Sequence, residues 1–162
     1  MIRTKILVIF FFIILTGCDK QPECNNDETK AAIKEYLFEK LNNRSYLMYG
    51  IVDRYDKDVE KNIKRFLEEG IDIVKITPKK SNVKKCRCTS ELKITLNQKI
   101  KNVLESQQGK EFAEKLLYRN YPFEYSVTPY IESKRGIVIK SNMHFQDLAD
   151  AMNVYIVLQT QR

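Results

Sequence analysis

The sequence predicts an α+β domain in which N-terminal helices pack on a mostly antiparallel, curved sheet. Apolar residues recur at helical spacing before residue 70 and alternate by two in much of the chain after it. Short links separate the successive strand segments, and short links favour antiparallel neighbours. The length of residues 27–162 suits one domain with one hydrophobic core.

Two helices are predicted in the N-terminal part of this domain. For the first, Asn25 is the expected N-cap, and Glu28 three residues later completes a capping pair. The second is predicted over residues 56–69, with Gly70 as its stop. Each carries an apolar stripe, formed by Ile33, Tyr36, Leu37 and Leu41 in the first helix and by Val59, Ile63, Phe66 and Leu67 in the second.

The clearest strand begins at Cys86. From there to Leu96 the even-numbered residues are apolar or small and the odd-numbered residues are mostly polar or charged. Cys86 and Cys88 are therefore predicted to share the buried face. An earlier strand is expected over residues 71–77, closed by Pro78.

The rest of the chain predicts further strands around one long helical stretch. That stretch covers residues 98–119, with a break near Gly109. Strands are expected over 123–131, where Pro129 indicates an edge or a bulge, and over 137–140 and 154–158. Residues 143–151 fit either a short helix or an irregular segment.

The first eighteen residues have the organisation of an export signal. Arg3 and Lys5 precede the apolar run 6–15, which is too short to cross a bilayer. The stretch LTGC that ends at Cys18 then resembles the lipobox of bacterial lipoproteins. This resemblance implies cleavage after Gly17, a diacylglycerol thioether on Cys18 and usually a third acyl chain, such as palmitate, on the new N-terminus.

The expected product is a lipid-anchored protein on the periplasmic side of a membrane, with residues 1–17 as signal peptide and 18–26 as lipidated tether. Two or three acyl chains give stable attachment, because each buried methylene contributes about 0.8 kcal/mol. Asp19 stands where lipoproteins of enteric bacteria carry an inner-membrane retention signal, and Lys20 is at a position where a cation weakens it. The choice between inner and outer membrane stays open.

A second, shorter resemblance concerns the other cysteines. The stretches PECNND before the first helix and CRCTSEL on a strand are similar to a pattern in small, uncharacterised periplasmic lipoproteins. In that pattern a cysteine before the first helix accompanies a Cys-x-Ala-x-aliphatic strand, and Ser90 replaces the alanine here. The resemblance implies a cystatin-like or nuclear-transport-factor-like arrangement of helix and curved sheet, and no activity.

A disulfide is predicted between Cys24 and the cysteine strand, because exported cysteines meet an oxidising compartment. A bridge from Cys86 to Cys88 is disfavoured, since same-face neighbours on one strand lie about 6.6–7 Å apart. Cys88 is the favoured partner, because its Cys-x-Ser-x-Leu context matches the resemblance and it lies deeper in the strand. Cys86 remains the alternative.

No catalytic residue, metal ligand set or cofactor site is predicted, and the protein is expected not to be an enzyme. His144 is the only histidine, and no recognisable motif surrounds it. The acid pairs Glu68–Glu69 and Asp147/Asp150 lack a spacing that marks a catalytic dyad. The three cysteines that remain after lipidation lack a fourth zinc ligand in the sequence pattern.

A basic run surrounds the start of the cysteine strand. The chain carries 28 Lys and Arg against 21 Asp and Glu, a formal net charge of +7. The preferred interpretation is a solvated hairpin whose lysines discourage edge-to-edge pairing, and the alternative is a binding patch for a membrane surface or an acidic partner. Nucleic acid is not an expected partner of an exported domain. The run comprises Lys79, Lys80, Lys84, Lys85 and Arg87.

The expected function is a non-enzymatic protein-interaction module, including the inhibitor or immunity type, with an unknown envelope protein as partner. The tyrosine-rich segment 121–130 is the candidate contact. One alternative is a carrier or sensor of a small hydrophobic ligand in a cavity between helix and sheet. The other is an uncharacterised envelope enzyme built around His144.

Overall fold

The computed structural model describes residues 23–43, 46–47, 58–82, 84–106 and 110–160. Within these ranges the strands form one unclosed antiparallel sheet in the order β1-β2-β3-β4, which confirms the α+β prediction. The elements in chain order are α1 (Asp27–Leu41), α2 (Val59–Glu69), β1 (Ile71–Asn82), β2 (Lys85–Ile94), α3 (Gln98–Ser106), α4 (Lys110–Leu117), β3 (Asn120–Pro129), β4 (Ile137–Ser141) and α5 (Gln146–Thr160).

Helix α1 begins one residue later than predicted. Its N-cap is Asn26, whose side chain accepts a hydrogen bond from Thr29 N at 2.7 Å. The Thr29 hydroxyl is itself buried and donates to Glu23 O at 2.7 Å, which ties the preceding segment to the first turn. The apolar stripe of α1 faces the core, as the periodicity predicted, with Ile33 and Leu37 fully buried.

Helix α2 ends at Glu69 with Gly70 as its C-cap, as predicted, and the predicted start at residues 56–57 lies outside the described residues. A Cβ at position 70 would meet Phe66 O at 2.8 Å and the ring of Tyr155 at 3.0 Å. A glycine is therefore needed where the end of α2 approaches α5. The Phe66 and Tyr155 rings then meet edge to face, 5.1 Å between centroids.

The alternation in β2 is confirmed. Cys86, Cys88, Ser90, Leu92 and Ile94 are all buried. The cysteines, Leu92 and Ile94 belong to the same core cluster as the apolar stripes of α1 and α2. The helices therefore cover the face of the sheet toward which the even-numbered residues of β2 point.

Strand β1 runs to Asn82, so the prediction that Pro78 closes it is wrong. Because β1 is an edge strand, it can accommodate Pro78, which has no N–H to donate to a ladder. The pairing with β2 shifts on either side of Thr77, and Lys75 adopts a positive φ of 51°. The edge or bulge that Pro129 predicted for β3 is also wrong, since β3 is an inner strand and Pro129 is its last residue.

The predicted strand over residues 154–158 is wrong, because these residues belong to α5. Valine, tyrosine and isoleucine favour strands in isolation. In the fold α5 packs against α2, α3 and α4, so that most of its circumference is buried and no amphipathic period survives in the sequence. Tertiary packing overrides the local propensity here. The short helix considered for residues 143–151 is the first part of α5.

The predicted helical stretch 98–119 is two helices, α3 and α4. The break expected near Gly109 lies outside the described residues, which leave out 107–109. Both helices pack against α5 on the core side of the sheet.

Candidate interaction surfaces and the cysteine cluster

Cys24 and Cys88 form a disulfide, with their Cα atoms 5.9 Å apart. The bond joins the segment before α1 to β2 across 64 residues of sequence. It is the pair that the sequence favours. The alternative partner, Cys86, is a buried free cysteine, and the predicted lipidation site Cys18 lies outside the described residues.

The thiol of Cys86 lies against this disulfide. Its Sγ is 2.7 Å from Cys24 Sγ and 3.6 Å from Cys88 Sγ. Tyr125 closes the cluster by donating a hydrogen bond to Cys24 O at 2.8 Å, and burial together with the neighbouring Cys86 raises the pKa of Tyr125 to about 12. The three sulfurs lie within 4.8 Å of one another, and with Cys24 and Cys88 oxidised the cluster offers one thiol, Cys86, beside a disulfide with which it can exchange.

The cluster lies near one end of the sheet, which we call the tether end. The register pairs Cys86 with Val127, so the β1–β2 turn, whose flanking residues Asn82 and Lys85 pair, and the β3–β4 loop at residues 130–136 extend from the same end. The disulfide and the Tyr125 hydrogen bond hold Cys24 close to this end. The chain therefore enters the domain beside both turns.

The β3–β4 loop is a compact hairpin that presents one bare apolar side chain. Tyr130 N donates to Gly136 O at 2.8 Å, and Gly136 has the positive φ of 68° that the turn requires. Ser133 Oγ lies 2.9 Å from both Tyr130 O and Ile137 O. Ile131 at the tip is 98% exposed and Tyr130 is 48% exposed.

The tyrosine-rich segment 121–130 is mostly unavailable as a contact surface, contrary to expectation. Tyr121 and Tyr125 are each 2% exposed, because the odd-numbered residues of β3 face the core. Tyr121 donates to Leu116 O at 2.6 Å, and burial raises its pKa to about 12. Only Tyr130, at the end of the segment, is exposed among these three tyrosines.

The basic run occupies the tip of the β1–β2 hairpin. Lys80 pairs with Arg87 in the register, and Arg87 with Ser126, which pairs with Lys140 on β4. Paired residues share a face, so three cations form one row across the solvent face of the sheet. Lys79 differs, because it pairs with Glu124 at 3.0 Å.

A half-open groove of about 810 Å³ runs between α1, α2 and residues 133–139. Its lining includes the apolar side chains of Ala32, Leu67 and Ile139. Arg135 donates to the Glu35 carboxylate at 2.8 Å on the rim, and this hydrogen bond lowers the pKa of Glu35. The groove thus joins an apolar floor to a charged rim.

Strand β4 forms one side of this groove and is an edge strand. The carbonyls of Ile137 and Ser141 accept hydrogen bonds from Ser133 Oγ at 2.9 Å and Tyr36 OH at 3.2 Å, both outside the sheet ladder. Alternate residues of an edge strand direct their backbone groups to the same side. The N–H and C=O of Ile139, midway between, therefore point away from β3.

The acid pairs considered in the sequence lie in surface contacts. Glu69 pairs with Arg65 at 3.0 Å and Asp147 with Arg119 at 2.6 Å. Asp150 accepts a hydrogen bond from Gln146 at 2.9 Å. His144 is exposed in the segment before α5.

No family model, no curated protein and no solved structure matches this chain. Within the described residues, no helix combines the length and the apolar content needed to cross a bilayer. Three surfaces of the described residues are available for contacts: the groove beside β4, the exposed β3–β4 hairpin and the basic tip.

Proposed function

We propose that the protein is a lipid-anchored, non-enzymatic interaction module that faces the periplasm and binds an extended segment of an envelope protein along β4. The lipobox at Cys18 supports the anchor and the location. The observation that carries the binding proposal is the outward-facing backbone of β4 beside an apolar groove.

The backbone of β4 supplies the first part of the recognition. An extended peptide that adds to a sheet edge gains affinity from main-chain hydrogen bonds. Side-chain donors already occupy the carbonyls of Ile137 and Ser141, so Ile139 offers the position at which a new strand pairs. A partner segment of a few residues would suffice, because β4 itself spans only five residues.

The groove supplies the second part, which is selectivity. Ile137, Val138 and Ile139 all line the groove, although consecutive residues point to opposite faces. The groove must therefore run along the strand edge, where alternate side chains of an added strand would enter it. The small side chain of Ala31 on α1 leaves the space for them. A protein of the inhibitor or immunity type would use this geometry to cover a partner's exposed strand.

Filling the groove tests the proposal. The acylated Ala31→Trp variant should lose its partner by about tenfold or more in affinity capture from its own membranes, which corresponds to about 1.4 kcal/mol. A photo-crosslinker at Val138 identifies the same partner by direct contact. Phe112→Trp is the matched control, because Phe112 is 67% exposed on α4, away from the groove.

The proposal fails if Ala31→Trp, folded by circular dichroism, captures the crosslinked partner as well as the wild-type protein does. Loss of the partner in both tryptophan variants would also contradict it, because the effect would then not depend on the groove.

The groove also supports a second candidate, a carrier or sensor of a small hydrophobic ligand. Its volume of about 810 Å³ lies within the range of ligand pockets, about 300–1,000 Å³. Native mass spectrometry of protein purified from its own membranes should then show a bound small molecule that Ala31→Trp lacks. Ligand-free wild-type protein that still captures its partner would decide for the interaction module.

A further inference from the structure

We propose that the tether end of the sheet lies on the membrane, with the basic β1–β2 tip on anionic lipid headgroups and Ile131 inserted among them. This inference rests on the proposed acylation of Cys18 and adds an orientation to it. It assigns a partner, the anionic bilayer surface, to the basic β1–β2 tip and to Ile131, neither of which lines the groove along β4.

The length of the tether limits how far this end can lie from the bilayer. Cys24 follows Cys18 by six residues, which span at most about 20 Å when fully extended. The disulfide to Cys88 and the hydrogen bond from Tyr125 fix where Cys24 meets the sheet. From Cys88 to the β1–β2 turn is three residues, or about 10 Å, and from Tyr125, its partner in the register, to Tyr130 is five residues, or about 17 Å. Both distances are shorter than the extended tether. The turns and the lipid surface are therefore within reach of each other.

The charge of the β1–β2 tip fits an anionic surface. Residues 79–90 contain five cations and no acid. Lys80, Lys84 and Arg87 are exposed, and of the five only Lys79 is held in an ion pair with a described acid. Two acids pair with cations at this end, Glu124 with Lys79 at 3.0 Å and Glu35 with Arg135 at 2.8 Å. Glu132 in the β3–β4 loop accepts a hydrogen bond from Tyr130 OH, and three further acids lie beside the chain entry, namely Glu23, Asp27 and Glu28.

The β3–β4 loop adds an apolar contact beside the charged one. Ile131 is 98% exposed on a turn that several hydrogen bonds hold rigid. Tyr130 stands next to it, and tyrosine favours the interface between headgroups and acyl chains. Lys134 follows on the same loop and is exposed. A rigid turn with one bare aliphatic side chain beside a tyrosine suits shallow insertion.

An acidic protein would also complement the tip, but the membrane is the occupant that the tether favours. A partner attached through a short flexible linker is presented at a high effective concentration. The anchor holds lipid beside the tip continuously, whereas a protein must first diffuse to it.

The chain contains no tryptophan, so Ile131→Trp provides a unique fluorescent reporter. The acylated variant is reconstituted into phosphatidylglycerol/phosphatidylethanolamine vesicles with brominated acyl chains, and into brominated phosphatidylcholine vesicles. We expect quenching and a blue shift of the introduced indole in the anionic vesicles, weakened in phosphatidylcholine and at high salt. Phe112→Trp, on α4, is the matched reporter and should stay unquenched.

Charge variants in the Ile131→Trp background identify the lysines involved. Changing Lys80, Lys84 and Lys85 to Gln should abolish the quenching, because each neutralised lysine weakens adsorption about fivefold. The same change at Lys101, Lys110 and Lys115, exposed on α3 and α4, removes equal charge and should leave the quenching intact.

Three results would overturn the orientation. They are an unquenched indole in the acylated Ile131→Trp variant, equal quenching in both lipid compositions, and protection of the tip lysines from acetylation only when envelope proteins are present. The last result would assign the tip to an acidic protein. Mass spectrometry of the N-terminus separates these from failure of the anchor, because an unacylated Cys18 refutes the anchor itself.

Discussion

The two ends of the domain are each stabilised by a different kind of interaction. At the tether end, a disulfide and single hydrogen bonds hold Cys24 to the sheet, while both turns expose charged or apolar side chains. At the far end, Phe66 and Tyr155 pack edge to face and Tyr155 touches Gly70. The far end is stabilised by close packing, whereas the tether end depends on oxidation and remains available for contacts.

The largest expected effect is at the far end. Phe66→Ala removes a fully buried ring against Tyr155 and should lower the free energy of unfolding by about 3–5 kcal/mol. Chemical denaturation measures the change. Phe112→Ala, at an exposed ring, is the control and should change stability by at most about 0.5 kcal/mol. Equal losses from both would contradict the contrast between the packed and exposed rings.

The next effect is at the tether end and depends on the redox state. Cys24→Ala removes the cross-link over 64 residues and should cost about 2–4 kcal/mol under oxidising conditions. Reduced wild-type protein should behave as this variant does. Denaturation with and without reductant tests this, and the contrast between the ends fails if reductant leaves the wild-type midpoint unchanged.

Cys88→Ala is expected to cost less than Cys24→Ala. The Cys86 thiol lies 2.7 Å from Cys24 Sγ and can take over the bond. Peptide mapping without reduction should therefore show Cys24 linked to Cys88 in the wild type and to Cys86 in the variant. A Cys24–Cys86 peptide in the wild type would reverse the assignment, and three free thiols would refute the oxidised cluster altogether.

A smaller loss of stability is expected from removing the hydroxyl of either of two buried tyrosines, one at each end of the domain. Tyr125→Phe removes the hydrogen bond to Cys24 O, and Tyr121→Phe the bond to Leu116 O, each at a cost of about 1 kcal/mol. Folding raises the pKa of both tyrosines from 10.0 to about 12. Their contribution to the free energy of unfolding is therefore complete below pH 10 and is lost as pH rises toward 12.

Alkaline unfolding should therefore be shallower in either variant than in the wild type. After reduction, the difference at Tyr125 should shrink, since its partner Cys24 is then freed, while that at Tyr121 persists. Identical behaviour of the two variants before and after reduction would remove this distinction between the ends.

The smallest effect belongs to the groove rim. Glu35→Gln removes an exposed ion pair with Arg135 and should change stability least of the substitutions considered. The Arg135 hydrogen bond depresses the pKa of Glu35, so any contribution is present above the ordinary value of 4.5 and disappears as pH falls through the lowered pKa. A denaturation series across this range should show near-parallel curves for variant and wild type.

Much of the fold could be predicted because some segments carry an unambiguous period. In β2 the alternation alone assigned each residue to a face, including both cysteines. The apolar stripes of α1 and α2 were predicted equally well from the helical spacing, since each helix buries one side only. In α5 prediction failed, because a helix buried on most of its surface has no period and its β-branched residues then favour a strand.

The candidate interaction surfaces were harder to predict from the sequence than the fold was. The basic run was visible as composition, but its position beside the chain entry depends on the β2–β3 register. The prediction that segment 121–130 exposes its tyrosines was wrong for Tyr121 and Tyr125. Both lie at odd-numbered positions of β3, which face the core. Ile131 carried no signal, since an isoleucine after a strand is expected to continue it. The groove brings together residues about a hundred positions apart in the sequence.

The sequence by itself determined the α+β class, the faces of β2 and the limited choice of disulfide partners for Cys24. These follow from local spacing and from residue chemistry. Only the tertiary structure decided that residues 154–158 are helical, that the Cys86 thiol lies against the disulfide, and that β4 leaves an edge beside an apolar groove. Each of these depends on which distant elements pack together, and packing energies between distant segments leave no periodic trace in the chain.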